Sequence, residues 1–236
     1  MKILGVIPSR YESTRFPGKP LVDILGKSMI ERVYQQCLKC SALDDIIVAT
    51  DDKRIYDHVL TFGGKSIMTS KTHQTGTERC NEVAKKLEEY KIIINIQGDE
   101  PLIKPDQINE IIALFKNRKT QIGTLAKKID KTTIIKDENT PKAIFDKNGN
   151  AINFLRKIPS VSNTTIYYQH IGIYGYRKET LNKICALPKS KNEIEKRLEQ
   201  MRWIDNGYNI KIGVTNFQTF SVDVPKDIKK IISQIR

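Results

Sequence analysis

The chain has 236 residues, 39% of them hydrophobic and 28% charged, and this composition is typical of a globular protein and excludes a disordered or fibrous class. The formal net charge of +13 favours an anionic partner, but the lysines are dispersed and form no long basic block, so nucleic-acid binding is not expected. No apolar run is long enough to span a bilayer, and the first residues lack the pattern of a signal peptide. We therefore expect a cytoplasmic protein with no membrane partner.

The first half of the chain alternates continuous apolar runs with segments of helical periodicity. The apolar runs predict strands buried on both faces, and the alternation predicts a mostly parallel sheet with right-handed crossovers and helices on both faces. The predicted strands are KILGVIPS (2–9), DDIIVATD (44–51), KSIMTS (65–70), KIIINIQGD (91–99) and IGTLAKKI (122–129), and the predicted helices are SMIERVYQQCLKC (28–40), KRIYDHVLTFG (53–63), GTERCNEVAKKL (76–87) and PDQINEIIALFKN (105–117).

After about residue 130 the pattern changes, and Asn148 and Gly149 predict a turn between the two strand-like halves of KAIFDKNGNAINFLRK (142–157). This is an inserted β-hairpin. An aromatic-rich strand (167–177) follows it. The end of the chain predicts helices at 192–207, closed by Gly207, and at 225–236, and strands at 208–215 and 219–224. No long linker or repeat divides the chain, so one domain is expected.

The four cysteines form no evenly paired framework, which predicts free thiols in a reducing compartment. Cys37 and Cys40 form a CxxC sequence late in a predicted helix, but no second pair accompanies them. Neither a zinc site nor a redox motif is therefore indicated.

The loop IPSRYESTRFPGKP (7–20) follows the first predicted strand and gathers Arg10, Arg15 and Lys19 among small residues. A polyphosphate needs several cationic donors, and the planar guanidinium group can bind two phosphate oxygens at once. The spacing is neither that of a Walker A loop nor that of a GxGxxG motif. The loop predicts a phosphate-binding site of another kind, and the alternative is a polar surface loop.

Acidic residues follow two other predicted strands, at the edge of the sheet where ligands of open α/β folds bind. Asp99 lies in NIQGDEP (95–101), and Asp223 follows the strand-like TFSV. Magnesium prefers oxygen ligands and commonly takes one or two carboxylates together with phosphate oxygens. Asp99 is therefore a candidate metal ligand and Asp223 a candidate partner. The alternatives are a turn at Asp99 and a helix cap at Asp223.

Two further segments carry candidate ligand-binding side chains. HQTGTERC (73–80) leads into a helix whose N-terminus favours anions, and the alternative is a capped helix without a ligand. The aromatic-rich strand offers Tyr, His and Gln side chains to a polyhydroxylated acid, and core packing is the alternative. Glu195 and Glu199 are predicted one turn apart on the face of one helix.

Taken together, these stretches resemble the 3-deoxy-manno-octulosonate (Kdo) cytidylyltransferases, which make CMP-Kdo for lipopolysaccharide synthesis. The similarity runs almost from end to end, and several long motifs in one order are more specific than any single motif. The family shows IPARYxSTRxPGKPL, VATDD, HxSGTDR, NxQGDEP, DxxGNAxxFSR, YxHIGIYxYR, LEQLR and DTPED, and the chain has IPSRYESTRFPGKPL, VATDD, HQTGTER, NIQGDEP, DKNGNAINFLR, YQHIGIYGYR, LEQMR and DVPKD.

The resemblance implies an α/β fold with a Rossmann-like, mostly parallel sheet of the nucleotidyltransferase type. It implies one domain, 1–236, with a subsidiary sugar-binding and dimerisation element around 140–200. It also implies Mg²⁺ as cofactor, CTP and a 3-deoxy sugar acid as substrates, and a homodimer. The implied catalytic residues are Lys19, Arg15, Asp99 and Asp223, the last two as metal ligands. The implied nucleotide-binding residues are Arg10, Ser13, Arg15, Lys19, Gly76, Arg79 and Gln97, and the implied sugar-binding residues are Arg156, His170, Tyr174, Glu199 and Gln200.

The implied reaction is attack of the anomeric hydroxyl of the sugar on the α-phosphorus of CTP, with pyrophosphate leaving in line. The chain departs from the family after Arg156, where KIPSVSN (157–163) stands in place of a proline-rich PIPYPR-like stretch. A related sugar acid, such as 8-amino-Kdo or a nonulosonate, is therefore the alternative substrate. The alternative of another class is a basic nucleic-acid-binding protein, whose binding would weaken with salt.

Overall fold

The computed structural model of the protein describes residues 1–130, 132–158, 161 and 165–235. Most of the segment KIPSVSN, which carries the departure from the family pattern, lies outside these residues. The chain divides into unit 1, formed by Met1–Asn109 and Thr219–Arg236, and unit 2, formed by Glu110–Gln218. The subsidiary element predicted around 140–200 lies within the wider bounds of unit 2.

The first part of unit 1 contains a parallel sheet in which β1 pairs with β4 on one side and β6 on the other, while β5 extends the sheet beyond β4. The elements up to the boundary of the unit are β1 (Lys2–Ser9), a 3-10 turn (Lys19–Leu21), β2 (Asp23–Ile24), β3 (Lys27–Ser28), α1 (Met29–Leu38), β4 (Asp45–Thr50), α2 (Lys53–Thr61), β5 (Ser66–Met68), α3 (Gly76–Lys86), β6 (Tyr90–Asn95) and α4 (Pro105–Leu114). The four predicted strands and four predicted helices of this region are confirmed, as is the parallel arrangement.

The strand β1 is apolar because both of its faces are covered. Leu4, Val6 and Ile7 have no exposed surface, in agreement with the continuous apolar run that predicts a central parallel strand. Its carboxyl end, like those of β4 and β6, faces the same edge of the sheet because the three strands are parallel. The loops that follow these strands are therefore the ones placed to form a site.

Unit 2 combines one parallel strand pair with antiparallel ones. The strand β7 pairs with β11 in parallel and with β10 in antiparallel fashion, and β8 pairs with β10 and β9. The elements are β7 (Ile122–Lys128), α5 (Thr132–Lys136), β8 (Lys142–Phe145), β9 (Ala151–Leu155), β10 (Tyr168–Arg177), α6 (Lys178–Cys185), α7 (Lys191–Lys196), α8 (Gln200–Asp205) and β11 (Ile210–Thr215), and the final helix α9 (Asp227–Ile235) belongs to unit 1. The helices α5 and α6 were not predicted from the sequence.

The inserted hairpin is confirmed by β8 and β9. Its turn is held by the side chain of Asp146, which accepts hydrogen bonds of 2.8 Å from the main-chain N–H groups of Asn148 and Asn150. Gly149 has φ of 75°, a left-handed conformation that glycine adopts without the penalty of a Cβ atom. The NG pair thus marks the turn for the reason that the sequence pattern indicates.

The single helix predicted over 192–207 is wrong, because the chain forms two short helices, α7 and α8, in its place. Arg197 between them has φ of 53°, which ends the first helix in the left-handed region. The second helix folds back so that Arg202 donates two hydrogen bonds of 2.8 Å to the Glu193 carboxylate, with both side chains buried. The sequence predicts Glu195 and Glu199 one turn apart on one helix, and this prediction is therefore wrong.

The strand predicted over 219–224 is also wrong, since this described segment has no regular secondary structure and pairs with no strand. Its N–H group at Val222 donates to the carbonyl oxygen of Asp99 at 2.9 Å. The Val222 side chain is buried in a cluster with Ile24, Met29 and Ile231. An apolar residue anchored in a core and flanked by polar residues thus produced the alternating pattern without a strand.

The four cysteines are free thiols, as predicted. Cys37 and Cys40 are buried, and burial raises the pKa of both thiols. A thiol that resists deprotonation is a poor nucleophile and metal ligand. The CxxC sequence is thus part of the core of unit 1.

Candidate active site

The loop after β1 is closed on itself within unit 1. The N–H group of Gly18 donates to the carbonyl oxygen of Tyr11 at 2.8 Å, and Gly18 has φ of 71°. The 3-10 turn begins immediately afterwards and fixes the direction of Lys19. A cavity of about 400 Å³ lies against this loop and is lined by Pro8, Ser9, Arg10, Glu12, Ser13, Thr14, Arg15, Lys19, Pro20, Gln97, Gly98 and Asp99.

Lys19 links the loop to the residues that follow β6. Its Nζ donates to Oδ2 of Asp99 at 2.7 Å and to the carbonyl oxygen of Val222 at 2.9 Å. The Lys19 side chain is 15% exposed and that of Asp99 29% exposed, so this ion pair is partly shielded from water. The loop, the end of β6 and the segment before α9 therefore converge at one place in unit 1.

Arg15 makes the corresponding contact with Asp223. Its Nη2 donates to Oδ1 of Asp223 at 2.8 Å, with exposed fractions of 65% and 46% for the two side chains. Asp223 does not cap the helix that follows it, which was the alternative interpretation of this residue. The turn that leads into α9 is held by Asp227, the first residue of the helix, whose Oδ2 accepts from the N–H groups of Asp223 and Val224 at 3.1 Å. The Asp223 carboxylate is thus directed to the loop after β1.

Gly98 allows the end of β6 to lie directly against the end of β1. A Cβ atom on Gly98 would lie 2.8 Å from Oγ of Ser9 and 2.9 Å from the carbonyl oxygen of Pro8. Both distances are too short for any larger residue without a shift of the main chain. This close approach explains why glycine precedes Asp99.

Glu100, next to Asp99, was not singled out from the sequence. Burial, with a further contribution from the charge of Asp99, raises the pKa of Glu100 to about 8. A carboxyl group with this pKa is mostly protonated at neutral pH, so it adds little negative charge beside Asp99. Its burial depends on the tertiary packing, and no sequence signal separates it from an exposed acidic residue.

The first turn of α3 contains the predicted Gly76 and Arg79. Gly76 packs against β1, since a Cβ atom there would lie 3.0 Å from Cγ of Pro8. Arg79 is 1% exposed, and it donates to Oδ2 of Asp51 at 2.7 Å and to Thr69. Its guanidinium group therefore connects the ends of β4 and β5. A nucleotide-binding role for Arg79 stays a prediction.

Arg10 and Gln97 lie on the wall of the same cavity, together with Ser13. Arg10 donates to the carbonyl oxygens of His73 and Gln74 at 3.4 and 3.3 Å. The ring of His73 is in turn bonded to Glu82 at 2.5 Å, and Glu82 also accepts from the N–H group of Ser70 at 2.8 Å. Arg10 is thus braced by a segment that Glu82 holds in place.

Unit 2 contains the predicted sugar-binding residues. His170 and Tyr174 lie side by side on β10, with ring centroids 5.4 Å apart. Burial lowers the pKa of His170 to about 3, so its ring is neutral at working pH. Burial, followed by the charge of Glu199, raises the pKa of Tyr174, which places Glu199 in the electrostatic neighbourhood of these two rings. Tyr174 also packs edge to face on Trp203 at 5.3 Å.

An irregularity in β10 determines how these two side chains are placed. The register with β7 shifts between Ile171 and Tyr174. Oγ1 of Thr124 bonds to the carbonyl oxygens of Ile171 and Ile173 at 3.1 and 2.8 Å and lies 3.0 Å from Nε2 of His170. Thr124 was missed because a threonine in an apolar strand gives no signal of this role.

Arg156, Glu199 and Gln200 complete the predicted set. Arg156 donates to three main-chain carbonyl oxygens, those of Glu138, Lys196 and Arg197, at 3.3, 3.2 and 3.1 Å. Glu199 lies 3.6 Å from the Arg202 guanidinium group. Gln200 is 5% exposed, and within the described residues its Nε2 atom has no hydrogen-bond partner. Such a buried donor costs free energy until a partner is provided.

The side chains at the edge of unit 1 suit a magnesium ion that shares its ligands with a phosphate. They do not suit a metal ion that is bound by protein side chains alone. Within the described ranges no cluster of three or more His, Cys, Asp or Glu side chains could hold an ion. Two carboxylates on converging segments, beside cations suited to phosphate, match the ion's habit of taking one or two carboxylates and completing its shell with phosphate and water oxygens. Asp99 and Asp223 are the residues that could hold it.

A family model described as cytidylyltransferase matches residues 4–212. The chain belongs to the cytidylyltransferase family. A 3-deoxy-manno-octulosonate cytidylyltransferase of Bacteroides thetaiotaomicron is 46% identical over 97% of this chain and 96% of its own length. One of Fusobacterium nucleatum is 46% identical over 100% of this chain and 98% of its own length. The resemblance inferred from the motifs is therefore confirmed.

A solved structure of a CMP:2-keto-3-deoxy-manno-octonic acid synthetase complexed with CTP superimposes with a TM-score of 0.94 and 37% identity, and it covers 100% of this chain and 98% of that one. The nucleotidyltransferase type of fold, which the resemblance implied, is confirmed for this cytidylyltransferase. Among the described residues, no helix is both long enough and apolar enough to cross a bilayer.

Proposed function

We propose that this cytidylyltransferase transfers CMP from CTP to the anomeric hydroxyl of Kdo, giving CMP-Kdo and pyrophosphate for lipopolysaccharide synthesis. The observation that carries the proposal is the convergence of Lys19 and Arg15 with Asp99 and Asp223 on one closed loop. The relatives named as Kdo cytidylyltransferases and the similar CTP-complexed structure support the nucleotide and the sugar.

The reaction needs positioning and neutralisation of charge more than it needs a covalent catalyst. In the proposed complex Arg10, Ser13, Arg15 and Lys19 bind the phosphates of CTP. The cations Arg15 and Lys19 stabilise the negative charge that develops on the leaving pyrophosphate. No side chain has to act as a nucleophile, because the sugar hydroxyl attacks the α-phosphorus directly.

Magnesium is the proposed cofactor, with Asp99 and Asp223 as its ligands. When bound, Mg²⁺ supplies Lewis-acid polarisation of a phosphoryl oxygen and lowers the pKa of an oxygen nucleophile.

The proposed sugar site in unit 2 combines the neutral rings of His170 and Tyr174 with the carboxylate of Glu199, the amide of Gln200 and the guanidinium group of Arg156. His170 is a neutral hydrogen-bonding group, and Tyr174, Glu199 and Gln200 offer further donors and acceptors to the sugar hydroxyls. Arg156 uses three of the five N–H donors of its guanidinium group on carbonyl oxygens, so two remain for the sugar carboxylate.

Pyrophosphate release tests the proposal. The protein is incubated with CTP and Mg²⁺ together with Kdo, with 8-amino-Kdo or with sialic acid, and a reaction without sugar is the control. We expect release with Kdo that exceeds release with either other acid. Release with 8-amino-Kdo or sialic acid alone would support the related-sugar alternative, and no sugar-dependent release with any of them would contradict the proposal.

The homodimer and the cytoplasmic location stay predictions. Size-exclusion chromatography with light scattering measures the molar mass in solution, and a mass near twice the monomer's 27.1 kDa would support the dimer. A monomer mass at micromolar concentration would contradict it.

A further inference from the structure

Two of the cations proposed to bind phosphate, Lys19 and Arg15, are each bonded to one of the carboxylates proposed to bind metal. Lys19 is 2.7 Å from Asp99, and Arg15 is 2.8 Å from Asp223. Both pairs join residues that are far apart in the sequence, by 80 residues for Lys19 and Asp99 and by 208 residues for Arg15 and Asp223. The same four side chains would all have to change partners when a metal ion and a triphosphate bind.

The Lys19–Asp99 pair is the stronger of the two. The Lys19 ammonium group has three N–H donors, and two of them are used on Asp99 and on the Val222 carbonyl oxygen. The N–H group of Val222 is bonded in turn to the carbonyl oxygen of Asp99, which holds both acceptors in register. Partial burial strengthens such a charge-assisted bond, whereas the exposed Arg15–Asp223 pair is more strongly screened.

Other charged residues on the same cavity do not form such pairs. Arg10 donates to main-chain carbonyl oxygens, and among the described residues neither Arg10 nor Glu12 has an ion-pair partner within 4.0 Å. The pairing is therefore specific to Lys19 and Arg15 with the two proposed metal ligands, and Arg10 does not take part in it. It does not follow from crowding of charge in the loop as a whole.

We propose that Lys19 and Arg15 act as internal counter-ions of the two metal-binding carboxylates, so that metal and triphosphate binding are positively coupled. A triphosphate that draws Lys19 away frees Asp99 for the metal, and a metal bound by Asp99 frees Lys19 for the phosphate. Coupling of this kind is reciprocal, since each ligand changes the affinity for the other by the same factor. The proposal rests on the proposed function and adds to it an energetic coupling between the metal site and the phosphate site.

The first test measures CTP binding by the full-length protein in EDTA, with calorimetry or a fluorescent CTP analogue. Asp99→Asn removes the carboxylate charge that holds Lys19, and we expect it to bind CTP about tenfold more tightly than the wild type. Glu12→Gln is the matched control, because it removes one negative charge from the same cavity without releasing a paired cation. We expect a gain of about threefold or less for this variant.

Unchanged or weaker metal-free binding of CTP by Asp99→Asn would overturn the proposal, and so would an equal gain in Glu12→Gln. Asp99→Ala serves as a second variant, and the same sign is expected because it also releases Lys19. The result is informative because Asp99 is proposed to be needed for turnover. Without metal, however, the Asp99 carboxylate of the wild type is expected to weaken CTP binding.

The second test measures Mn²⁺ binding without nucleotide by electron paramagnetic resonance. Lys19→Gln frees Asp99, and we expect Mn²⁺ affinity to rise about tenfold. Arg10→Gln removes a cation from the same cavity that has no carboxylate partner, and it reports the general effect of charge. Equal affinities of the two variants, or no change in Lys19→Gln, would overturn the proposal.

These outcomes are separate from failure of the proposed function. A protein that is not a cytidylyltransferase would show neither sugar-dependent pyrophosphate release nor CTP binding in the presence of Mg²⁺. If the wild-type protein turns over Kdo but the affinities of Asp99→Asn for CTP and of Lys19→Gln for Mn²⁺ are unchanged, the proposed function stands. Only the counter-ion proposal is then contradicted.

Discussion

Unit 1 keeps Lys19 and Arg15 in ion pairs with Asp99 and Asp223, whereas unit 2 ties Arg156 to main-chain carbonyl oxygens and buries His170 in neutral form. In unit 1, Lys19 is bonded to Asp99. In unit 2, Arg156 donates to three carbonyl oxygens and His170 is kept neutral by burial. The proposed site for a polyanion and a metal thus uses charges that can change partners, while the proposed site for a sugar acid uses donors that are held in a fixed direction.

The Lys19–Asp99 pair of unit 1 is tested most strongly by Asp99→Asn. We expect kcat to fall about ten-thousandfold, equivalent to about 5.5 kcal/mol, because the variant lacks a metal ligand while it retains the shape of the side chain. Pyrophosphate release at saturating CTP, Kdo and Mg²⁺ measures the effect. The thermal midpoint should stay within a few degrees of that of the wild type, and near-normal turnover would contradict the metal assignment.

The fixed architecture of unit 2 is tested by Arg202→Met. The variant leaves the buried Glu193 carboxylate without its partner, and we expect the free energy of unfolding to fall by about 4 kcal/mol. Urea denaturation followed by circular dichroism measures the loss. Lys191→Met is the matched control, since Lys191 and Glu195 form an exposed pair 3.8 Å apart and its loss should cost less than about 0.5 kcal/mol. Equal losses of unfolding free energy in the two variants would show that burial does not make the Arg202–Glu193 pair more important for stability than an exposed pair.

Glu82 extends the comparison to the segment that braces Arg10 in unit 1. Burial opposes ionisation of Glu82, but hydrogen bonds from Lys86, the Ser70 N–H group and His73 outweigh it and lower the pKa of Glu82 from 4.5 to about 2. A lowered folded-state pKa contributes stability above the unfolded-state pKa of 4.5, and this stability is lost as the pH falls through about 2.

We expect Glu82→Gln to lower the free energy of unfolding at neutral pH by up to about 3 kcal/mol. The difference from the wild type should shrink as the pH falls from about 5 to about 2, because the wild type then loses the same contribution. Denaturant unfolding at a series of pH values measures it. A constant difference over that range would contradict the electrostatic explanation.

Gly98→Ala gives the smallest of these effects. The added Cβ atom would lie 2.9 Å from the carbonyl oxygen of Pro8, and a main-chain atom cannot move aside easily. We expect kcat/KM for CTP to fall about tenfold, since a small displacement of Asp99 is enough to disturb alignment. Gly213→Ala in unit 2 is the control, because its nearest neighbour is a leucine side chain that can rotate. An unchanged kcat/KM in Gly98→Ala would show that the approach of the two strand ends is not needed.

Much of unit 1 was predictable because its elements are encoded locally. The apolar run of β1 and the periodic pattern of α3 predict those elements without knowledge of their neighbours. The breaks in the pattern were harder to predict. Arg197 has no feature of a helix terminator, and it ends α7 because Arg202 returns to Glu193 in the folded unit. Val222 has the pattern of a strand residue but packs in a core without a pairing strand.

The sequence by itself determined the alternation of strands and helices, the hairpin turn at Gly149 and the position of Lys19 and Asp99 after strands whose carboxyl ends meet at one edge. These follow from periodicity and turn chemistry, which act over a few residues. Only the tertiary structure decided that Arg79 bonds to Asp51 and that Arg15 bonds to Asp223, 208 residues away. A charged side chain takes the partner that packing brings near it, and that choice is made by the whole chain.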